Sequence, residues 1–291
     1  MNLSIVIVSY NSAHLIEKLI LSIPKDFEII IIENSLDINL KDKLEKIYKN
    51  VQIIIPEKNL GVGKATNIGL KKSKNNFVFC LSPDVEVSKE CFMQMLNIVH
   101  RFKDFTMLAP TYFDEKINKN YKFNKNHSNK KIKTIDKFNL IKVDEIDTAA
   151  VIINKSKIDN IEIYDQNFFL YFENIDLCLR LIEENKKLYV VDNLKFIHYG
   201  TKSSNPEMVL DIKICRNWHY CWSKFYFLRK HHGYFYGIRK TLPNLIRALK
   251  SCFINFLKND IESFKLHKAE LSGLINSYFL RKSSYRPLQD K

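Results

Sequence analysis

Long uncharged apolar runs are missing from this chain of 291 residues. None approaches the roughly 20 residues that a membrane-spanning helix needs. No basic stretch precedes an apolar core at the amino terminus, which goes directly into a strand-like run, so no signal peptide is expected. The six cysteines, Cys80, Cys91, Cys178, Cys215, Cys221 and Cys252, include no C-x-x-C pair. Several stand among apolar neighbours and read as reduced core thiols. No internal repeat and no zinc-finger or RRM pattern is visible, which argues against a nucleic-acid partner. These absences together point to a cytoplasmic protein.

What is present is an ordinary globular balance, with 46% hydrophobic and 27% charged residues. The length suits one large domain, or a domain with an appendage. Lysine and arginine exceed aspartate and glutamate by 46 − 32 = 14. Such an excess favours an anionic partner: a phosphate, a nucleic acid or an acidic membrane surface.

Alternating patterns organise the first part of the chain. Leu3–Val8, Phe27–Ile32, Val51–Ile55 and Phe77–Leu81 are short continuous apolar runs, as in strands buried on both faces of a parallel sheet. Between them, Ala13 to Ile23 places Leu15, Leu19 and Ile23 on one helical face, and Leu40 to Tyr48 reads as a shorter helix. The series predicts βαβ units and a mostly parallel sheet. Gly61-Val62-Gly63 sits at a strand-to-helix junction but lacks the third glycine of a dinucleotide fingerprint, and it belongs to the third unit instead of the first. Its backbone N–H groups still suit an anion.

Three stretches carry candidate chemistry. In Phe77 to Val87, Ser82-Pro83 stops the strand and leaves Asp84 at its carboxyl end. Ligands of open α/β sheets collect there, and a carboxylate so placed can hold a divalent cation against a diphosphate. The alternative is that Asp84 caps a helix beginning near Ser88. In Phe168 to Leu181, Glu173 and Asp176 lie three apart across the first turn of a helix starting near Asn174, so both can face one cleft or serve the helix macrodipole. After a strand at Leu188–Val191, Phe196 to Ser204 brings His198 and a loop rich in hydroxyls with Lys202, suited to a phosphate. Residues 115–142, rich in lysine and asparagine and containing His127, read as a solvated loop or hairpin, or else as a loop that orders over an anionic substrate.

Beyond Pro206 the pattern turns helical. No acidic residue occurs between Ile212 and Asn259, while lysines, arginines and aromatic residues interleave. Leu242, Leu245, Ile246, Leu249, Phe253, Phe256 and Leu257 keep an apolar face, with Pro243 suited to a first helical turn and Arg247, Lys250 and Lys258 off that face. Such a helix fits the headgroup layer of an anionic membrane; packing on the rest of the chain or in a homodimer is the alternative.

In order along the chain, Ile7-Val8-Ser9-Tyr10-Asn11, Glu33-Asn34-Ser35, Asn59-Leu60-Gly61 with Ala65 to Gly69, Leu81-Ser82-Pro83-Asp84, Phe168 to Arg180 and His198 before Ser203 resemble family 2 glycosyltransferases, nearest the bacterial rhamnosyltransferase-like branch. The resemblance covers about residues 3 to 235. It implies an α/β architecture of GT-A (Rossmann-like) type, a mostly parallel mixed sheet flanked by helices in residues 1–206, with a basic α-helical extension in 207–291. It also implies a nucleoside-diphosphate-sugar donor and inversion at the anomeric carbon. By the same resemblance Ser9, Tyr10 and Asn11 line the nucleotide pocket, and Glu33 replaces an aspartate that contacts the nucleobase. Asn59, Gly61 and Asn67 shape its floor. Ser82 replaces a more usual asparagine, Asp84 matches the last acid of the DxD-like metal motif for Mg²⁺ or Mn²⁺, and His198 stands near metal or diphosphate; Lys202, from the reading of its loop, adds a positive charge for the diphosphate.

One departure bears on mechanism. The family places an acid after the glutamate of the Glu173 motif, and this chain has Asn174, which cannot take a proton. Glu173, or else Asp176, is then the base. The expected function is a metal-dependent, inverting transfer of a sugar, rhamnose by the branch, to a glycan or polyprenyl-diphosphate-linked acceptor. The expected setting is bacterial surface polysaccharide synthesis at the inner face of the cytoplasmic membrane. A non-catalytic sugar-nucleotide-binding homologue and a nucleic-acid-binding protein are the competing readings.

Overall fold

The computed structural model describes residues 3–113, 120–123, 131–159, 163–200 and 209–287. The expectations placed on His127, Lys202 and the 201–206 loop lie outside these residues. Chain contacts divide the protein into two compact bodies, one of Met1–Leu60, Lys64–Tyr164 and Asn174–Ser204, the other of Gly61–Gly63, Asp165–Glu173 and Asn205–Lys291.

The first body, apart from Val62, Gly63 and Glu173, which belong to the second, opens with β1 (Leu3–Ser9), α1 (Ala13–Ser22), β2 (Glu28–Glu33), α2 (Ile38–Ile47), β3 (Val51–Ile54), α3 (Val62–Lys72) and β4 (Phe77–Leu81). There follow β5 (Val85–Glu86), α4 (Lys89–Arg101), β6 (Met107–Phe113), β7 (Tyr121–Lys122), β8 (Lys131–Ile135), β9 (Phe138–Lys142), β10 (Glu145–Ile146), β11 (Ala150–Asn154), α5 (Glu173–Glu183) and β12 (Leu188–His198). The main sheet runs β3-β2-β1-β4-β11-β6-β12-β9-β8, with β5 paired to β12 and β10 paired separately to β7. Strands β3, β2, β1 and β4 are parallel neighbours, and β11 enters antiparallel between β4 and β6. Both faces are covered. Ile5, Ile7, Ile29, Ile31, Phe79 and Leu81 join one apolar cluster, and Val6, Ile30, Ile32, Val78 and Cys80 join the other. Full burial contributes about 1.5–3 kcal/mol per large aliphatic or aromatic side chain, which is why these runs are continuous instead of alternating.

Two stretches differ from the sequence expectation. Within 115–142, β8 and β9 form a hairpin, and Phe138, Leu140 and Ile141 are buried in the main sheet, so this hairpin belongs to the core. Strand β12 continues past Val191 to His198. A register shift between Val191 and Lys195 interrupts it, with Asn193 at φ 67°, and the shift absorbs residues that break the apolar pattern.

The second body is helical: α6 (Val209–His232), α7 (Tyr234–Leu257) and α8 (Ile261–Tyr278). A Cβ on Gly273 of α8 would lie 2.3 Å from the Trp218 carbonyl oxygen, so only glycine permits this approach to α6. Trp218 and Trp222 are buried, their indole N–H groups donating to Ser272 Oγ at 3.2 Å and Arg281 O at 3.0 Å. Residues 281–287 are not helical. Pro243 is not in a first turn, as the sequence suggested: α7 begins at Tyr234, so the proline falls in its interior.

Candidate active site

The parallel strands end together, and their carboxyl ends carry the first group of candidates. Ser9 and Glu33 are register partners at the ends of β1 and β2, and both are fully buried. Glu33 Oε1 accepts from Ser35 N at 2.8 Å and from Ser35 Oγ, while Oε2 is buried without a hydrogen-bond partner, as is Ser9 Oγ. Asn11, at φ 51°, donates its backbone N–H to Ser35 Oγ at 3.1 Å, tying the loop after β1 to that after β2. Tyr10 is half-buried in the same loop. Asn34 Oδ1 accepts from Leu60 N at 3.2 Å, which draws the Asn59-Leu60 segment toward these loops, with Asn59 buried.

Asp84 lies one strand over. Val85 N donates to Ser82 O at 3.1 Å, closing a turn with Pro83 in its second position, and Ser82 N is held by Ala149 O at 2.7 Å. The helix that follows is capped by Ser88, whose side chain accepts from Cys91 N, so Asp84 is not the cap. Instead its backbone carbonyl accepts from Tyr199 N at 3.1 Å, and His198 pairs with Val85 across β5 and β12. This bridge brings His198 Nε2 to 3.5 Å from Asp84 Oδ1, both side chains largely buried. Among the described residues no cluster of three or more histidine, cysteine, aspartate or glutamate side chains could cage a metal. Mg²⁺ needs no such cage, since one or two protein ligands with phosphate oxygens and water complete its shell. Asp84 and His198 fit a cation that arrives with a diphosphate.

Sequence reasoning missed two neighbours. Tyr112 packs edge-on against the His198 ring at 5.4 Å, and its hydroxyl donates to Ala150 O at 3.1 Å and accepts from Ala150 N. Asp147 accepts from Ala149 N at 2.9 Å through Oδ1. Burial raises the Asp147 carboxyl above its usual range, and the charges of Asp84 and Glu145 add to this against the pull of Ala149 N–H and His198. A lone carboxylate in a polar connection carried no local signal of this neighbourhood. Asn174 Nδ2 donates to Ile146 O at 3.3 Å, so this departure from the family pattern holds the backbone beside Asp147.

The remaining candidates divide. Asp176 is fully buried and paired to Arg180 Nε at 2.8 Å, while Arg180 also donates to Ile163 O at 2.5 Å. It anchors α5 to the segment before it and does not line an open cleft. Asn67 brackets the Tyr164 backbone, accepting from its N at 3.0 Å and donating to its O at 2.8 Å, so its amide is engaged in holding structure. In the second body, Gly61 has φ +77°, and a Cβ there would lie 2.2 Å from Phe169 O, which also accepts from Val62 N at 3.1 Å. Glu173 is buried at the start of α5, preceded by Tyr171 and Phe172, both left-handed at φ 67° and 66°. Two consecutive non-glycine residues in that region cost about 1–2 kcal/mol each.

Residues 4–160 match the family described as Glycosyl transferase family 2. The chain is 24% identical over 199 residues to the low-salt glycan biosynthesis hexosyltransferase Agl10 of Haloferax volcanii, covering 63% of this chain and 62% of that protein. It is 26% identical over 175 residues to the minor teichoic acid biosynthesis protein GgaB of Bacillus subtilis, covering 59% of this chain and 19% of that one. The chain thus spans less than two thirds of either relative. Among solved structures, the mannosyltransferase PcManGT of Pyrobaculum calidifontis, in complex with GDP-Man and Mn²⁺, aligns with TM-score 0.57 at 8% identity over 97% of this chain and 88% of that one. S. aureus TarS 1-349 aligns with TM-score 0.52 at 13% identity over 95% and 91%. At these identities the likeness concerns the fold, which is the GT-A type expected from the motifs. The family match covers more than half of the sequence, and the chain belongs to glycosyl transferase family 2.

Proposed function

We propose that this protein is an inverting glycosyltransferase that moves a sugar from a nucleoside diphosphate to a hydroxyl of a glycan or polyprenyl-diphosphate-linked acceptor. The observation that carries this reading is the Asp84–His198 pair, held at the carboxyl edge of the parallel strands by the β5–β12 bridge. A bound Mg²⁺ or Mn²⁺ would neutralise the charge that develops on the departing diphosphate. Asp84 and His198 would hold it, and Lys202 would add a positive charge. Ser9, Tyr10, Asn11, Asn59 and Ser82 border the nucleotide, while Gly61 and Asn67 keep the surrounding backbone in place.

Glu33 reads the base. With Oε1 engaged by Ser35, Oε2 alone is left to accept. That suits the single ring N–H of uracil or thymine, and it suits guanine less well, because guanine presents two adjacent donors. A thymidine diphosphate sugar such as dTDP-rhamnose agrees with this and with the branch that the motifs resemble.

Glu173 takes the acceptor proton as the hydroxyl attacks. Backbone strain at Tyr171 and Phe172, immediately before it, supports a functional role, since such conformations persist where the surrounding structure holds a side chain in place. Asp176 is set aside as base, because its carboxylate already pairs with Arg180. The setting we propose is surface polysaccharide synthesis at the inner face of the cytoplasmic membrane. The test is a mass-spectrometric screen of nucleotide sugars with Mn²⁺ and a bacterial lipid extract. One donor should be consumed with release of its nucleoside diphosphate, and EDTA should stop the reaction. Binding of a donor without turnover would instead support the non-catalytic reading that Asn174 suggests.

A further inference from the structure

Helix α7 is turned inside out. The residues it buries are small, Gly237, Thr241 and Ala248, and a Cβ on Gly237 would stand 2.8 Å from the Phe225 ring. Most of its large apolar side chains are exposed, among them Phe235, Leu242, Ile246, Leu249, Phe253 and Leu257, while Ile238 and Leu245 pack against the cluster around Phe225. At helical spacing these six exposed residues fall in a strip about 80° wide, roughly opposite the buried three, with Phe256 and Ile254, also exposed, on its two flanks. Phe235 is 86% exposed and Phe253 65%. A globular protein has no reason to order its helix this way for its own core, so the strip meets something outside the chain.

Charge says what that is. Arg239 and Lys250 border the strip on one side, with Lys240 and Lys258 further round, and none of the four has a carboxylate partner among the described residues. Arg247 is set apart by its contact with Glu270 at 3.0 Å. A second copy packed antiparallel through the same strip would set these cationic margins against each other. An anionic lipid surface instead accepts both the apolar strip and its basic border. No described helix is long and apolar enough to cross a membrane, so α7 would lie along the surface.

We propose that the outer face of α7 is a membrane-docking surface, inserting Ile246, Phe253 and Leu257 at the headgroup boundary while Arg239 and Lys250 meet lipid phosphates. This deepens the glycosyltransferase reading by giving a lipid-linked acceptor a meeting place, and it rests on this helix alone.

The test is flotation of the full chain with vesicles of phosphatidylcholine, with and without phosphatidylglycerol. Binding should require the anionic lipid and weaken at high salt. The double substitution Ile246→Glu with Phe253→Glu should weaken it at least about tenfold, with thermal melting and nucleotide binding unchanged, since both sites are exposed. Arg239→Glu with Lys250→Glu should act in the same direction. Equal binding to neutral vesicles, or an Ile246→Glu/Phe253→Glu variant that floats as well as the parent, would overturn the proposal. So would a dimer that this variant dissociates while leaving flotation intact. Failure to bind any nucleotide would count against the enzymatic reading and leave the docking result standing.

Discussion

His198 Nε2 lies 3.5 Å from Asp84 Oδ1 because β5 and β12 pair Val85 with His198, and the Asp84 carbonyl accepts from Tyr199 N at 3.1 Å. The contact is set by backbone register and not by the side chains' own attraction. Replacing the imidazole should therefore leave Asp84 where it is. His198→Ala is expected to weaken Mn²⁺-dependent nucleotide binding about 10- to 100-fold, the usual effect of losing a ligand or its close support, with little change in melting temperature. Titration calorimetry with and without Mn²⁺ measures this. Equal binding by variant and parent would remove His198 from the metal site.

Glu173 and Asp176 are expected to separate in opposite ways. Asp176→Asn breaks a buried pair with Arg180 and should cost about 3 kcal/mol of stability. Glu173→Gln should lower kcat by at least about a hundredfold with donor affinity retained, as removal of a base does. A stable Asp176→Asn variant that binds donor and does not turn over would reassign the base.

Gly61 is expected to refuse a side chain. Its φ of +77° and the 2.2 Å approach of Phe169 O leave no room for a Cβ. Gly61→Ala should destabilise the protein by at least about 2 kcal/mol, read by urea unfolding. A loss near zero would mean that the Phe169 segment moves freely.

His219 sets a pH limit on the helical body. Its Nε2 donates to Tyr285 O at 2.9 Å, and its Nδ1 accepts from Ser283 Oγ at 3.1 Å, which fixes a neutral ring. Burial holds its pKa down to about 4, the charge of Arg286 acting in the same direction and the Tyr285 hydrogen bond against it. The unfolded chain takes up the proton below pH 6.5, and the folded chain resists it until about 4. The stability from this group is therefore complete above pH 6.5 and is lost as pH falls through that window, about 3 kcal/mol in all. Melting curves of the parent should decline across it, and those of His219→Gln should decline less. Parallel curves would show that another group sets the limit.

The sequence made some of this legible and hid the rest for physical reasons. Strands β1 to β4 were readable because burial on both faces demands unbroken apolar runs, and the turn at Ser82-Pro83 marked where Asp84 stands. The antiparallel entry of β11 between β4 and β6 was not readable, since Ala150–Asn154 looks the same in any buried strand. His198 was found as a residue but not as the end of a strand, because the irregularity after Val191 broke the pattern. In α7 the spacing revealed an apolar face, yet not that small residues would take the packed side. Pro243 misled for a related reason: it suits a first turn by preference, and this helix accommodates it inside.

The most direct measurement is calorimetric titration of UDP, dTDP and GDP into the parent and into Asp84→Ala, each with Mn²⁺ and with EDTA. The parent should bind a pyrimidine nucleoside diphosphate more tightly than GDP. Mn²⁺ should strengthen this binding by at least about tenfold, and Asp84→Ala, folded as before, should gain nothing from the metal. Binding that is indifferent to Mn²⁺ in the parent, or equally Mn²⁺-dependent in Asp84→Ala, would contradict a metal site at Asp84.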